Sequence, residues 1–139
     1  MSHMVPVVFI NCDKVDFVDL IMDGKKVLET RNFNTLGGLV GRRVLIAETH
    51  KGKKPVIRCS CVLKNPKHID FLGVWGLASI DACIDNYEDW WDFKRPGRWT
   101  YEIHNVKEAH HPWTEGKRHG RVWMEYEEED DWMSVINFM

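Results

Sequence analysis

The sequence predicts an α+β domain in which one early helix precedes several short strands, a combination that suits a small, curved or closed sheet. Three observations carry this expectation. The apolar pattern adopts a helical period near the start of the chain, over 13–22. It then falls into strand-length apolar runs at 43–48, 56–63, 99–104 and 121–126. Turns are marked by Gly at 36–41 and by Pro96-Gly97, and Thr49–Pro55 is a Lys/Gly-rich loop. The chain has 139 residues, enough for one ordinary domain with its own core.

Taken in order, Val5–Ile10 is a short apolar run suited to a buried strand. Over Asp13–Met22, Val15, Val18, Leu20, Ile21 and Met22 form an apolar side, with Asp13, Asp16 and Asp19 mostly opposite. Asn11 or Asp13 is placed to cap this helix, and Gly24 to end it. Lys26–Arg31 reads as extended. Arg43–Glu48 is almost continuously apolar, as for a strand buried on both faces. Val56–Leu63 alternates, with Ile57, Cys59, Cys61 and Leu63 on the apolar face. The stretch 65–97 reads as irregular and helical pieces, including Ile80–Trp90. Trp99–His104 and Arg121–Tyr126 return to strand, with His110–Gly120 a loop between them.

Net charge is −2, but it is unevenly spread. From Gly24 to His68 there are eleven Lys or Arg and two acids, while Glu125–Asp131 holds six acids and no base. A local positive excess attracts polyanions whatever the total charge. No apolar stretch approaches the roughly 20 residues of a membrane-spanning helix. Met1-Ser2-His3-Met4 reads as a cloning scar, with the native start at Met4 and the domain over 5–126. Residues 127–139 form an acidic and then apolar tail, in which Trp132, Met133, Val135, Ile136 and Phe138 favour docking on self, on a second copy as a homodimer, or on a protein partner. Four cysteines without a secretion signal point to a reducing, cytoplasmic setting. Cys59-Ser60-Cys61 has the wrong spacing for zinc, and the histidines add no spaced ligand set, so neither metal nor cofactor is expected.

Two blocks of residues point further. Gly24-Lys25-Lys26-Val27-Leu28-Glu29-Thr30-Arg31 follows the helix as Gly-x-Lys-x-x-Glu-x-Arg, with a strand opening near Gly41. Tyr101-x-Ile103-x-Asn105-Val106 precedes Pro112, Gly116 and Trp123. In this order they resemble the ASCH domain, a member of the PUA-like superfamily of small β-barrels, over roughly residues 5–126. The resemblance implies a PUA-like barrel with the early helix and, here, a helical, Trp-rich insertion over 65–99 that has no counterpart in the pattern. Asn32-Phe33 also departs from it, since an aromatic commonly follows the Arg.

The motif residues have definite chemical uses. Lys26 offers a point charge to a phosphate, or a base or nucleophile if desolvation lowers its pKa. Glu29 can accept an exocyclic amino proton of a base or orient Lys26, and Arg31 presents a planar fork to a phosphate or carboxylate. On a regular strand Lys26 would face away from Glu29 and Arg31. The plainer alternative is a Glu29–Arg31 ion pair with Lys25 and Lys26 solvated. The resemblance implies a cleft in which Lys25, Lys26, Glu29 and Arg31 hold RNA or a modified or flipped base. Lys51, Lys53 and Lys54 would grip phosphate, and Trp90 and Trp91 are candidates to stack on bases. As an alternative it implies a small hydrolase, either a metal-independent ribonuclease or an amidohydrolase of acylated cytidine, with Lys26 and Glu29 catalytic. For that role His50, His104 and His119 are candidate bases. Against the amidohydrolase, Glu29 stands where that pattern has Thr.

Overall fold

The computed structural model describes residues 2–69, 81–84, 98–111, 118–119 and 123–127. In chain order the elements are β1 (Ser2–Asn11), α1 (Phe17–Met22), β2 (Leu28–Arg31), β3 (Arg43–Thr49), β4 (Val56–Ile69), β5 (Arg98–His111), β6 (Arg118–His119) and β7 (Trp123–Glu127). A 3-10 turn at Gly37–Leu39 lies between β2 and β3. The strands form one sheet in the order β2-β5-β4-β3-β1-β7-β6. Only β1 and β3 run parallel; the other neighbours are antiparallel. The described residues are thus mostly β, with a curled half-barrel of five strands and a single short α-helix, the coarser form of the expected small barrel. The expected Trp-rich insertion lies outside the described residues apart from 81–84. There Asp81 and Ala82 are helical, but Cys83 has φ 59, which breaks a continuous helix over Ile80–Trp90 at that point.

Strand alternation puts one face of every central strand into the core. Val8 and Ile10 of β1, Val44 and Ile46 of β3, Cys59, Cys61 and Leu63 of β4, and Tyr101 and Ile103 of β5 share one buried cluster with Val18 and Ile21 of α1. Leu45 and Ala47 are buried as well, as expected for β3. Burial pushes the Cys59 thiol up to about 12 and raises Cys61 too, so both behave as small apolar groups.

The long strands curl because they are interrupted by bulges. Register shifts fall at three places along the β4–β5 ladder and at one between β3 and β4. Asn65 and Asn105 occupy left-handed backbone, each with φ 53, a conformation that Asn tolerates better than most residues. The Asn65 bulge lets β4 continue through Pro66 to Ile69, six residues beyond its expected end. β5 likewise runs on to His111, into the expected loop.

The helix is shorter than the pattern suggests. Neither expected cap serves it: Asn11 Oδ1 accepts the Asp13 N–H at 2.9 Å, and Asp13 Oδ1 accepts the Lys51 N–H at 2.8 Å. These bonds tie the 12–16 loop to the β3–β4 turn, and α1 starts only at Phe17. Val15, assigned to the apolar side, is consequently exposed.

Tyr101 pins the segment after β2 to the barrel. Its hydroxyl donates to Asn34 Oδ1 at 2.7 Å and accepts the buried Leu36 N–H at 3.3 Å. Burial foremost raises its pKa, keeping it a donor. Replacing Tyr101 by Phe leaves the Leu36 N–H without that acceptor. We expect a loss of about 1 to 3 kcal/mol in urea unfolding with an unchanged slope.

Candidate functional site

The Gly-x-Lys-x-x-Glu-x-Arg string forms one physical unit, and it begins with the end of α1. Gly24, at φ 76, follows the C-cap Asp23 and donates its N–H to Ile21 O, while the Lys25 N–H reaches Leu20 O at 2.9 Å. This is a Schellman ending, which needs the left-handed conformation that Gly adopts at little cost. The Lys26 N–H also bonds Leu20 O, at 3.0 Å. Lys26 therefore still belongs to the helix terminus, and β2 starts two residues later, at Leu28.

That placement overturns the expected alternation of side chains. Lys26 and Glu29 face the same interior instead of opposite sides, because the strand geometry behind the alternation rule does not extend back to Lys26. Lys26 is 2% exposed and Glu29 8% exposed. The Lys26 ammonium donates to Ala82 O at 2.6 Å, stands 3.7 Å from Glu29 Oε1, and lies 4.6 Å from the centroid of the Phe17 ring. Glu29 Oε1 also accepts the Thr30 N–H at 3.0 Å, and Oε2 accepts from Arg31 Nη2 at 3.1 Å. Arg31 Nη2 continues to Phe9 O on β1, at 3.0 Å. Lys26, Glu29 and Arg31 thus converge on one polar cluster inside the curl of the sheet. Of the three, Arg31 is the most open, with a quarter of its side chain exposed. Its buried Nε has no hydrogen-bond partner among the described residues.

The electrostatics follow from burial. Desolvation lowers the Lys26 ammonium below the ordinary lysine range, although Glu29 opposes the shift. Burial pushes the Glu29 carboxyl up, but Arg31, Lys26 and the Thr30 N–H together outweigh it and hold the group below the usual carboxylate range. The cluster is therefore a carboxylate clamped between two cations, one of which pays for its burial in basicity. The expected ion pair of Glu29 with Arg31 is present; the solvated Lys26 that accompanied it in the plainer reading is not.

The other expected residues divide sharply. Lys25, Lys51, Lys53 and Lys54 are exposed, the last three on the β3–β4 turn. Trp90 and Trp91 lie outside the described residues, as do the side chain of His119 and the segment 132–139. His104 stands opposite Val62, on the face of β5 that alternates away from buried Tyr101 and Ile103. Glu29 pairs with Tyr101 and shares its inward face, so His104 cannot serve Lys26 or Glu29 as a base. Instead, His104 Nε2 and Asn65 Nδ2 hold Glu102, at 2.9 and 3.1 Å. His50 belongs to another group, in which its ring and the carboxylates of Asp16 and Glu48 lie within 4.8 Å of one another. Spacing along the chain could not have shown that group, because Asp16 precedes α1 while Glu48 lies near the end of β3 and His50 just after it. Phe17, Tyr101 and the Ala82 carbonyl were also missed as neighbours of the motif. Only Tyr101 left a signal, as part of the second block.

Two measurements test this arrangement. Glu29→Gln leaves Lys26 and Arg31 without their shared counter-charge, and we expect a loss of about 3 kcal/mol or more in urea unfolding. Lys26 releases its proton at lower pH in the folded chain than in the unfolded one. Between those two pKa values the unfolded chain binds more protons, so stability should rise with pH there. That rise should shrink in Lys26→Met; an identical pH profile in both proteins would contradict the buried ammonium.

No protein-family profile matches the sequence, and no curated protein sequence matches it significantly. Solved structures do. The chain is similar to the crystal structure of an ASCH protein from Zymomonas mobilis, at 16% identity and a TM-score of 0.58, over 74% of this chain and 68% of that one. Two variants of the same protein also match. The serine-to-alanine form has 19% identity and a TM-score of 0.60 over 74% of this chain and 69% of that one. The tyrosine-to-phenylalanine form has 18% identity and a TM-score of 0.61 over 74% and 70%. With the two sequence blocks mapped onto the α1–β2 junction and onto β5, the chain has the ASCH fold.

Proposed function

We propose that the protein binds single-stranded RNA, taking a flipped or modified base at the Lys26–Glu29–Arg31 cluster. The observation that carries this reading is the cluster itself. Two charged side chains are almost fully buried in a small barrel, where apolar residues of similar size would cost less to desolvate. Such a cluster suits recognition of a base edge. Glu29 has lone pairs for an exocyclic amino group, and the partly exposed Arg31 fork suits an acceptor or a phosphate. Exposed Lys25, Lys51, Lys53 and Lys54, with Lys64, Lys67 and Lys107 on the strands, supply positive charge for the backbone. The ASCH fold is compatible with this reading and does not select the ligand.

A hydrolase is the second reading, favoured by one observation. Burial lowers the pKa of the Lys26 amine, as a nucleophile or base requires, and Glu29 is close enough to exchange or orient its proton. Either a ribonuclease or an amidohydrolase of acylated cytidine would then rely on Lys26 and Glu29.

The two readings separate by experiment. For binding, the affinity for a short single-stranded RNA should fall steeply with salt. Changing Lys51, Lys53 and Lys54 together to Gln should lower the log–log slope by about 2. A flat salt dependence would sink the phosphate contacts. Lys26→Ala should reduce discrimination between unmodified and modified bases while leaving most of the affinity. If the chain is a hydrolase, the same variant should abolish turnover of short RNA or N4-acetylcytidine. Absence of product from wild-type protein at high concentration would remove that reading.

A further inference from the structure

A second group of chemistry-bearing side chains lies where β1 and β3 end and α1 begins. Asp16, Glu48 and His50 each offer one ligand atom, and all of these lie within 4.8 Å of one another. Asp16 occupies the N-cap position of α1, yet its carboxylate caps nothing and makes no hydrogen bond or ion pair among the described residues. His50 is flanked by carboxylates on both ring nitrogens: Nε2 is 3.4 Å from Glu48 Oε1 and Nδ1 is 3.8 Å from Asp13 Oδ1. Asp13 is itself fixed by the Lys51 N–H. An imidazole with one nitrogen toward the ligand set and the other toward an anchored carboxylate is the arrangement that orients metal-bound histidines.

Charge points the same way. Arg58 bonds Glu48 Oε2 and Asp19 Oδ1, both at 2.9 Å, leaving Glu48 Oε1 toward His50. Of the four carboxylates Asp13, Asp16, Asp19 and Glu48, Arg58 pairs with Asp19 and Glu48 only. Three atoms no more than 4.8 Å apart can all sit within roughly 2.8 Å of one point, so a contraction of under about 1 Å reaches ordinary metal–ligand distances.

We propose that Asp16, Glu48 and His50 bind one divalent transition-metal ion, with Asp13 orienting His50. One imidazole and two carboxylates suit Zn²⁺, Co²⁺ or Mn²⁺, with water completing the shell. The site is separate from the Lys26 cluster: no hydrogen bond or ion pair joins its residues to Lys26, Glu29 or Arg31 among the described residues. It lies beside the exposed lysine turn, to which the Lys51 N–H bond to Asp13 ties it.

The test uses the full chain after removal of metal with EDTA. Titration with Co²⁺ and with Zn²⁺ should show one saturable equivalent, and Co²⁺ should give a visible ligand-field band. Asp16→Asn and His50→Gln should each weaken binding at least tenfold, and Asp13→Asn by about 10- to 100-fold. Asp16 is exposed and makes no hydrogen bond or ion pair with its side chain among the described residues, so the thermal midpoint of Asp16→Asn in EDTA should match wild type. On wild-type protein, Mn²⁺ should selectively broaden the amide resonances near 16 and 48–50. Absence of a saturable site, equal affinity in the Asp16 and His50 variants, or broadening centred on other histidines would each overturn the proposal.

Discussion

The guanidinium of Arg31 joins the two outer strands of the curled five-strand half-barrel. β1 pairs with β7 only as far as Pro6, so beyond that point one edge of β1 has no strand partner among the described residues. Arg31 reaches that edge from β2, at the other side of the half-barrel, and donates to Phe9 O. A side chain thus makes a closure that backbone pairing does not. The stagger across the sheet shows why a side chain is needed. Phe9 pairs with Ala47, which leads through Ile57 to His111 on β5, whereas Arg31 pairs with Trp99 at the other end of the same strand. Strands in a small barrel must tilt and shear in this manner to close. Glu29 holds Arg31 in position, and Lys26 balances Glu29, so the barrel closure and the candidate site rest on the same three side chains.

This shared use reconciles the structural and the functional readings of the motif. An ion pair of Glu29 with Arg31 explains the fixed geometry of β2 without any ligand. It does not explain an ammonium packed against Phe17 and hydrogen-bonded to the Ala82 carbonyl, well away from solvent. Desolvating that charge costs more than the pair returns unless the geometry is good and further hydrogen bonds satisfy the ammonium. Lys26 is therefore the member of the motif that the ion pair leaves unexplained, while Arg31 has a structural task in joining β2 to β1.

The structure also separates two groups that chain order interleaves. The Lys26 cluster is interior, cationic in balance and built at the junction of α1 with β2. The group of Asp16, Glu48 and His50 is at the rim, acidic in balance and built where β3 ends. α1 serves both, through Phe17 on one side and the Asp16 cap position on the other. Its short length, set by the Asn11–Asp13 and Asp13–Lys51 hydrogen bonds, leaves Asp16 at the helix start, free of capping duty.

Much of this was legible in the residues. Periodicity located α1 and the central strands, because β3 and β4 bury the side chains that alternation assigns to the core. Gly24 marked the helix end, since few other residues accept its backbone conformation, and the string from Gly24 to Arg31 marked the candidate site. Tertiary structure decided the rest. It turned Lys26 inward through a hydrogen bond to Leu20 O, where strand alternation would have turned it away from Glu29. It carried β4 and β5 past their apparent ends by bulges at Asn65 and Asn105, and it removed His104 to the outer face. It also assembled Asp16 with Glu48 and His50, with 31 residues between Asp16 and Glu48. The physical reason is the same in each case. Sequence patterning reports which groups avoid water within one element, whereas the meeting of polar groups depends on how separate elements are closed, staggered and capped against each other.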